Sequence, residues 1–259
     1  MSSDSLLFLI TGASRGIGFA LVETLLARPN TTVIATVRDL NSPNVVKLYE
    51  LLKAKASGLN VIKLDSAVPE DTVKSIEIIS NQFQLDHIDV VIANAGNHNS
   101  QESAFMTDMT DNHNIRQAIE INTIAPLQLF QATRHLLLAS KLPEFIIISS
   151  VAGSLQYAVN SIMSNLSYSL SKAAVNVVGI RIAQENNEII TLILSPGLVG
   201  TDMVLGLAKE LPAFGEWLNS NPPITSKESA EKLLNLIDNA QKADSGRIID
   251  ATDGKTLPW

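Results

Sequence analysis

Residues 6–18, LLFLITGASRGIG, decide the fold: an apolar run from Leu6 to Ile10 leads directly into a loop with three glycines, Gly12, Gly16 and Gly18. The short run is typical of a strand buried on both faces, and the amphipathic segment after the loop predicts a helix. Gly12 permits a tight turn, Gly16 lets the backbone approach a phosphate, and Gly18 lets the helix pack closely on the strand. Because a helix N-terminus favours an anion, the stretch predicts a site for the phosphates of a dinucleotide.

The same loop has two other interpretations. A flexible turn also uses glycine, although the strand–loop–helix setting favours the binding site. A phosphate loop of the nucleotide-hydrolysing type is disfavoured, because the glycine spacing differs and no Gly-Lys-Ser/Thr follows. Ser14, Arg15 and Ile17 complete the loop, and we expect them at the cofactor together with the three glycines.

The composition of the chain excludes several classes of protein. Its 259 residues are 46% hydrophobic and 17% charged, which is enough for a large core and argues against disorder. A net charge of -7 provides no attraction for nucleic acid or anionic lipid. The lack of cysteine excludes disulfides and thiolate chemistry and fits a reducing compartment. The first residues resemble neither a signal peptide nor a membrane span, so we expect a cytoplasmic protein without nucleic-acid or membrane partners.

Beyond the loop, short apolar runs alternate with amphipathic segments along the whole chain. The predicted strands are Leu6 to Ile10, Thr32 to Val37, Val61 to Leu64, Ile88 to Ala93, Phe145 to Ile148, Ile189 to Leu194 and Arg247 to Ile249. The predicted helices lie near 17–28, 43–56, 69–82, 113–140, 165–185 and 226–240. We therefore predict a single α/β domain over residues 1–259, a Rossmann-type doubly wound sheet of about seven parallel strands with helices on both faces. The irregular stretch 201–224 is expected to be a mobile substrate flap.

Four of the apolar runs end in small or polar residues that a core does not require. They are Thr11-Gly12, Asn94-Ala95-Gly96, Ser149-Ser150 and Ser195-Pro196-Gly197. In an open parallel sheet the carboxyl ends of the strands meet at one edge, where ligands bind. Four separate segments therefore predict one site.

A tyrosine and a lysine one helical turn apart carry the predicted chemistry. In Tyr168-Ser169-Leu170-Ser171-Lys172 the two side chains lie on one face of a predicted helix. A free phenol has a pKa of about 10, and an adjacent ammonium group should lower that pKa and allow acid–base work near neutrality. Taken alone, such a pair is often an ordinary pair of residues on a helix surface. Its position downstream of Ser149-Ser150, in a chain that also has the glycine loop, favours a functional pair over a chance match.

The glycine spacing and the Tyr168–Lys172 pair together resemble the short-chain dehydrogenase/reductase family, and the resemblance covers nearly the whole chain. It implies an NAD(P)-dependent oxidoreductase in which Tyr168 is the proton donor. Ser150 would then hydrogen-bond the substrate carbonyl, and Lys172 would lower the pKa of Tyr168 and bind the nicotinamide ribose. Asn122 matches the helix asparagine that in the family holds a water of the proton relay.

The resemblance extends to further cofactor residues. Asn94-Ala95-Gly96 would lie beside the adenosine ribose, although Ala93 replaces the family's usual asparagine, and Asp65 would lie near the adenine amine. Pro196 and Gly197 begin the segment that would bracket the nicotinamide, with the Val199 backbone and the Thr201 hydroxyl near its carboxamide. Simpler roles exist for single residues: a helix-capping Asp65, a buried turn residue at Asn122 and a strand end at Ser150.

One departure from the family pattern is the distance of 18 positions from Ser150 to Tyr168, several more than is usual. A longer loop over Leu155 to Ser164 resembles carbonyl reductases of the sniffer and fungal norsolorinic-acid-ketoreductase groups, as does the ending Ile248 to Trp259. The insertion leaves Ser149 and Ser154 as alternatives to Ser150.

Charge at the end of the second strand indicates the cofactor. An acidic residue there suits NAD and an arginine suits the phosphate of NADP, and Arg38-Asp39 supplies both. Arg38 directly follows the apolar run and Arg15 can reach the same phosphate, so NADP(H) is preferred over NAD(H), with Asp39 facing solvent. The alternative for each arginine is a solvated surface charge.

The remaining expectations concern metal, substrate and assembly. His87, His98, His113 and His135 show no metal-ligand pattern, so we expect no metal and give these histidines structural or surface roles. Apolar residues of the flap indicate an apolar or aromatic ketone or aldehyde, or ordinary packing: Met203, Val204, Leu205, Leu207, Phe214 and Trp217. The resemblance implies a homodimer or homotetramer. A non-redox enzyme such as a cyclase, epimerase or dehydratase, and an NADP(H)-binding regulatory protein, remain alternatives.

Overall fold

The computed structural model describes residues 5–83, 85–98, 111–159 and 165–258. Among them it contains seven strands: β1 (Leu6–Ile10), β2 (Thr31–Val37), β3 (Gly58–Lys63), β4 (Val90–Ala93), β5 (Glu144–Ile148), β6 (Ile190–Ser195) and β7 (Ile248–Asp250). The first helices are α1 (Gly16–Leu26), α2 (Pro43–Tyr49), α3 (Pro69–Gln82), α4 (His113–Ile119) and α5 (Ala125–Leu137). They are followed by α6 (Leu155–Ala158), α7 (Leu166–Glu185), α8 (Asp202–Glu210), α9 (Pro212–Ser220) and α10 (Ser226–Asp238).

All seven strands form one parallel sheet in the order β3-β2-β1-β4-β5-β6-β7. The chain moves outward from β1 in one direction and, after β3, crosses back to β4 on the other side. This reversal opens a crevice at the carboxyl edge between β1 and β4, the usual place for a ligand in such a sheet. The predicted Rossmann-type fold is confirmed.

Apolar side chains cover both faces of the sheet. On β1, Phe8 and Ile10 pack into one buried cluster with residues of α1 and α10. Leu7 and Leu9 point to the other face and join a second cluster with residues of α3, α5 and α7. The continuous apolar runs of the sequence follow from this arrangement, because both sides of each central strand are buried.

Two predicted helices are shorter than expected. The segment 43–56 is helical only to Tyr49. The chain after it runs back to the end of α1, where the Ala54 N–H donates to the Leu26 oxygen at 2.8 Å. The segment 113–140 is divided by a π-helical turn over Glu120–Ile124. Neither break interrupts the apolar pattern of the sequence.

The stretch 201–224 was predicted to be irregular, and this prediction is wrong: the stretch forms α8 and α9. Pro212 occupies the first turn of α9, where its missing N–H is not needed, so the proline starts a helix there. The motion expected of this flap stays a prediction. Of the predicted loop Leu155 to Ser164, the first part forms α6, and residues 160–164 lie outside the described part of the chain.

Within the described ranges, no helix is both long and apolar enough to cross a membrane.

Candidate active site

The glycine loop lies between two other segments at the carboxyl edge of the sheet. Gly12 and Gly16 have positive φ angles of 67° and 56°, which residues with a Cβ rarely adopt. A Cβ on Gly12 would lie 2.9 Å from the Cα of Ala95, and one on Gly16 would lie 3.2 Å from the Thr201 Cγ2. The loop therefore contacts Ala95 on one side and Thr201 on the other, so three of the predicted segments meet.

Asn94 holds the glycine loop in place. Its side-chain Nδ2 donates to the Thr11 oxygen at 2.8 Å and to the Gly12 oxygen at 3.3 Å. In return, the Thr11 hydroxyl accepts from the backbone N–H groups of Asn94 and Ala95, both at 3.0 Å. The preceding Ala93 is 2% exposed and belongs to the core, so the family's usual asparagine is replaced by a packing residue.

The N-terminus of α1 faces this loop without an internal partner for its charge. No side chain in the described part of the chain caps the helix at Arg15, and no acidic residue lies in its first turn. The first N–H groups of a helix carry a partial positive charge and attract anions. This end of α1 therefore suits a phosphate.

The charged candidates around the crevice lie at the surface. Arg38 and Asp39 are exposed directly after β2. The Asp39 Oδ1 accepts from the Asn41 N–H at 2.9 Å, so this carboxylate is used in its own turn. Arg15 and Asp202 form an ion pair with Nη1 and Oδ2 3.7 Å apart, and both side chains are mostly exposed.

Asp65 has the local contacts of a turn residue. Its Oδ1 accepts from the Ala67 N–H at 3.0 Å, and its own N–H donates to the Asp71 Oδ2 at 3.2 Å. These bonds shape the turn between β3 and α3, but Asp65 does not cap α3, whose N-cap residue is Val68 and carries no side-chain cap among the described residues. Its predicted place beside an adenine stays a prediction.

Ser150 is the serine that contacts the tyrosine. Its hydroxyl shares a hydrogen bond with the Tyr168 phenol and accepts from the Ala152 N–H at 3.2 Å. Ser149 is buried and donates to the Asn176 Oδ1 at 2.5 Å, while Ser154 donates to the Pro258 oxygen at 2.7 Å. Both alternatives are therefore engaged in structural bonds.

Lys172 is buried close to the phenol. Its Nζ lies 5.6 Å from the centre of the Tyr168 ring and donates to the Ile148 oxygen at 2.8 Å. Burial lowers the pKa of Lys172 to about 8. A Cβ on Gly96 would lie 3.8 Å from the Lys172 Nζ, so the lysine also borders the segment that contacts the glycine loop.

The expected lowering of the Tyr168 pKa is wrong for this structure. Burial raises the pKa of the phenol, and the hydrogen bond from Ser150 opposes that rise only in part. The physical reason is that Lys172 is itself desolvated and directs its ammonium group to the Ile148 oxygen. Removal of the phenol from water is therefore the main cause of the raised pKa of Tyr168.

Asn122 lies in the π-helical turn and is 1% exposed. Its Nδ2 donates to the Asn97 oxygen and to the Ser171 hydroxyl, and its Oδ1 accepts from the Asn97 N–H, each at 2.9 Å. The side chain thus joins the segment after β4 to α7.

The segment Pro196 to Thr201 is held against the entry of α10. The Ser229 hydroxyl donates to the Pro196 oxygen at 2.9 Å, and Gly197 has a φ of 83°. Val199 forms an isolated parallel bridge with Ile224 and is 3% exposed. This arrangement places Thr201 beside Gly16, at the glycine loop.

The model of the short chain dehydrogenase family matches residues 7–211. The chain belongs to that family. The glycine loop, Ser150, Tyr168 and Lys172 all lie inside the matched part, and the predicted resemblance is confirmed.

Similar proteins include fungal and animal reductases. A norsolorinic acid ketoreductase of Emericella nidulans is 34% identical over 263 residues, which cover 100% of this dehydrogenase and 95% of that protein. The structure of an NADPH-bound carbonyl reductase from chicken fatty liver has a TM-score of 0.84 and 28% identity, over 98% of this chain and 99% of that one. The carbonyl reductase Sniffer of D. melanogaster shares the fold, with a TM-score of 0.80 and 23% identity over 98% and 100% of the two chains.

Two residues of this short-chain dehydrogenase lie at the site without having been predicted there. His98, expected in a structural or surface role, has its ring centroid 5.2 Å from that of Tyr168. Ser171 is fully buried between Asn122 and Tyr168. The only sequence signal was their position: His98 follows Asn94-Ala95-Gly96 closely, and Ser171 precedes Lys172.

No group of three or more histidine, aspartate or glutamate side chains in the described ranges of this dehydrogenase is arranged to hold a metal ion.

Proposed function

We propose that this dehydrogenase is an NADP(H)-dependent ketoreductase that reduces a ketone or aldehyde, with Tyr168 as the proton donor. One observation carries the proposal: the hydroxyl of Ser150 is hydrogen-bonded to the Tyr168 phenol, and the buried Lys172 lies one turn away on the same helix. A carbonyl oxygen at this hydroxyl pair would find two O–H donors. The chemistry of a carbonyl reductase needs both.

The cradle beside this pair suits a dinucleotide. Gly12 and Gly16 let the loop pack closely against Ala95 and Thr201, and the uncapped N-terminus of α1 supplies N–H groups for a phosphate. The other residues that would hold the cofactor are Ser14, Arg15, Ile17, Gly18, Arg38, Asp65, Asn94, Ala95, Gly96, Tyr168, Lys172, Pro196, Gly197, Val199 and Thr201. When bound, the reduced nicotinamide supplies a hydride to the carbonyl carbon.

The protein's own groups handle the oxygen and its proton. The Tyr168 O–H donates its proton to the carbonyl oxygen, and the Ser150 hydroxyl donates a hydrogen bond to the same atom, where negative charge develops. Lys172 would bind the nicotinamide ribose. Asn122 supports the relay that returns a proton from water to Tyr168.

The proposed preference for NADP(H) rests on charge. Arg38 is exposed directly after β2, and Arg15 lies in the loop before α1, so two guanidinium groups border the crevice. Asp39 is exposed and accepts a hydrogen bond within its own turn, which favours Arg38 over Asp39 as the cofactor contact. The NADPH-bound relative from chicken supports the same choice.

The proposed substrate is an apolar or aromatic carbonyl compound. Leu207 and Phe214 of the flap are buried in packing, whereas Met203, Leu205 and Trp217 are 37%, 48% and 40% exposed. Exposed apolar side chains at α8 and α9 provide a surface for such a substrate.

We further propose a single-domain cytoplasmic protein that forms a homodimer or homotetramer through α4, α5 and α7.

The test is turnover of NADPH with a panel of carbonyl compounds by wild type and Tyr168→Phe. The phenylalanine variant should bind NADPH as wild type does and lose turnover by about 10²–10⁴-fold, the usual contribution of general acid catalysis. Tyr49→Phe, at an exposed position on α2, is the control and should keep full turnover. Substantial reduction by Tyr168→Phe would refute the role. Tight NADPH binding by wild type without oxidation would favour a non-redox enzyme or a regulatory protein.

A further inference from the structure

The ring of His98 packs against the catalytic phenol. The two ring centroids are 5.2 Å apart and the rings are tilted by 54°. Both residues are half-buried. Aromatic pairs prefer such tilted arrangements, and contact of this kind restricts the orientations that either ring can adopt.

The backbone that carries His98 is fixed by the residue before it. Asn97 donates its N–H to the Asn122 Oδ1 and accepts at its oxygen from the Asn122 Nδ2, both at 2.9 Å. This reciprocal pair ties residue 97 to the buried π-helical turn. His98 therefore extends from an anchored position.

The same polar network reaches the backbone of Tyr168. The Asn122 Nδ2 also donates to the Ser171 hydroxyl at 2.9 Å, and that hydroxyl donates to the Tyr168 oxygen at 2.7 Å. The contacts form a closed circuit: Asn97, Asn122, Ser171 and Tyr168 through hydrogen bonds, and Tyr168 back to His98 through the rings. Because the contacts close on themselves, the position of His98 relative to Tyr168 is held both through the backbone network and through the ring contact.

We propose that His98 is a positioning residue, which holds the Tyr168 phenol in the orientation that directs its O–H to the substrate oxygen. The proposal rests on the function assigned above and concerns the same site. The hydroxyl of a tyrosine is far from its Cα, so a small rotation about the side-chain bonds displaces it considerably. A displacement of about 1 Å at a reacting group can reduce turnover up to about 10²-fold.

The first experiment compares His98→Ala with His98→Phe. The alanine variant removes the ring, and we expect kcat to fall about tenfold with an unchanged KM for NADPH. The phenylalanine variant restores a flat ring and should keep kcat within about threefold of wild type. His135→Ala, at an exposed position on α5, is the matched control and should leave kcat unchanged. His98→Gln, which keeps the bulk without a ring, replaces His98→Ala should the alanine variant fail to fold.

Two outcomes would overturn the proposal. In the first, the ring-less variant keeps kcat within twofold of wild type. In the second, the alanine and phenylalanine variants lose kcat equally and both raise the KM for NADPH, which would place the effect at the cofactor.

A second experiment reads the ring without turnover. The chain has three tyrosines, so labelling with 3-fluorotyrosine gives three ¹⁹F resonances, and Tyr168→Phe identifies the one of interest. We expect this line to broaden or split in His98→Ala, to remain single and narrow in His98→Phe, and the other two to stay unchanged. An unaltered line shape in His98→Ala refutes the inference. Lack of carbonyl reduction by wild type would refute the proposed function alone, because the line shape still decides the role of His98.

Discussion

The ammonium group of Lys172 on α7 donates to the main-chain oxygen of Ile148, the last residue of β5, at 2.8 Å. Ser149 and Ser150 follow immediately, so this bond joins the helix that carries Tyr168 and Lys172 to the strand that carries the serine. The lysine is buried, and burial lowers its pKa from 10.5 to about 8. Burial of the charged Lys172 ammonium therefore lowers the stability of the folded state.

The first prediction is that Lys172→Met loses turnover but stabilises the protein at pH 7. In the folded state the pKa of Lys172 is lowered, so the unfolded chain binds more protons between pH 8 and 10.5. The destabilisation is fully present below about pH 8 and disappears as the pH rises towards 10.5. We expect Lys172→Met to raise the free energy of unfolding at pH 7 by roughly 1–2 kcal/mol, less than the full linkage because the Ile148 oxygen loses its donor.

Urea denaturation at pH 7 and at pH 10 measures this difference. It should be largest at pH 7 and small at pH 10, where the wild-type lysine is mostly neutral in the folded state. Lys141→Met, at an exposed position, is the control. A variant that is less stable than wild type at pH 7 would contradict the prediction.

The second prediction separates the two neighbouring serines. Ser150→Ala should reduce kcat by about 10²–10³-fold, the usual loss of one donor to a developing oxyanion, with little change in stability. Ser149→Ala should instead leave the buried Asn176 side chain without its donor and lower the free energy of unfolding by roughly 1–3 kcal/mol. Kinetics and denaturation of both variants check this. If Ser149→Ala kept both the turnover and the stability of wild type, the assignment of the Ser149 hydroxyl to the core would be wrong.

The third prediction concerns the choice of cofactor. Arg38→Ala should raise the dissociation constant for NADPH by about 10–100-fold, as expected for the loss of a charge-assisted hydrogen bond, and leave that for NADH nearly unchanged. Fluorescence titration with both cofactors measures the ratio. Lys47→Ala on the following helix α2 is the charge-matched control. Equal weakening of both cofactors would mean that Arg38 does not bind the additional phosphate.

Most of the fold could be predicted because its central strands are buried on both faces. A strand such as Leu6–Ile10 must then be apolar throughout, and the positive φ angles at Gly12 and Gly16 in the turn favour glycine. These requirements are local and visible in the sequence. The early end of α2 at Tyr49 and the π-turn at Asn122 depend on contacts with distant segments and leave the apolar pattern unchanged.

The candidate site shows the same division. Tyr168 and Lys172 could be placed together because four residues along a helix make one turn. The contact of His98 with Tyr168 joins segments 70 positions apart, and a single histidine has no periodicity that would reveal it. Even where the pair was predicted, the pKa shifts of its two groups were not, because they depend on how much water each group loses on burial.

The fourth prediction concerns Glu144, at the amino end of β5 and thus at the edge of the sheet opposite the site. No described residue donates a hydrogen bond to its buried Oε2. Burial, together with the negative charge of Asp238, raises the pKa of Glu144 from 4.5 to about 8. At neutral pH this carboxyl group is therefore mostly protonated in the folded state and ionised in the unfolded chain.

Because the folded state binds the proton more tightly, stability falls as the pH rises from 4.5 to 8, and the full loss remains above that range. Glu144→Gln cannot ionise and should escape this loss: we expect the variant to match wild type at pH 5 and to exceed it at pH 9 by roughly 1–3 kcal/mol. For a chain of this size each kcal/mol raises the melting temperature by about 2–4 °C, so thermal denaturation across the range measures the effect. Glu188→Gln, at an exposed position, is the control and should follow wild type throughout. The effects of Glu144 and Lys172 are separable because they occur on opposite sides of pH 8 and have opposite slopes, and a Glu144→Gln curve parallel to wild type from pH 5 to 9 would show that this carboxyl group has an ordinary pKa.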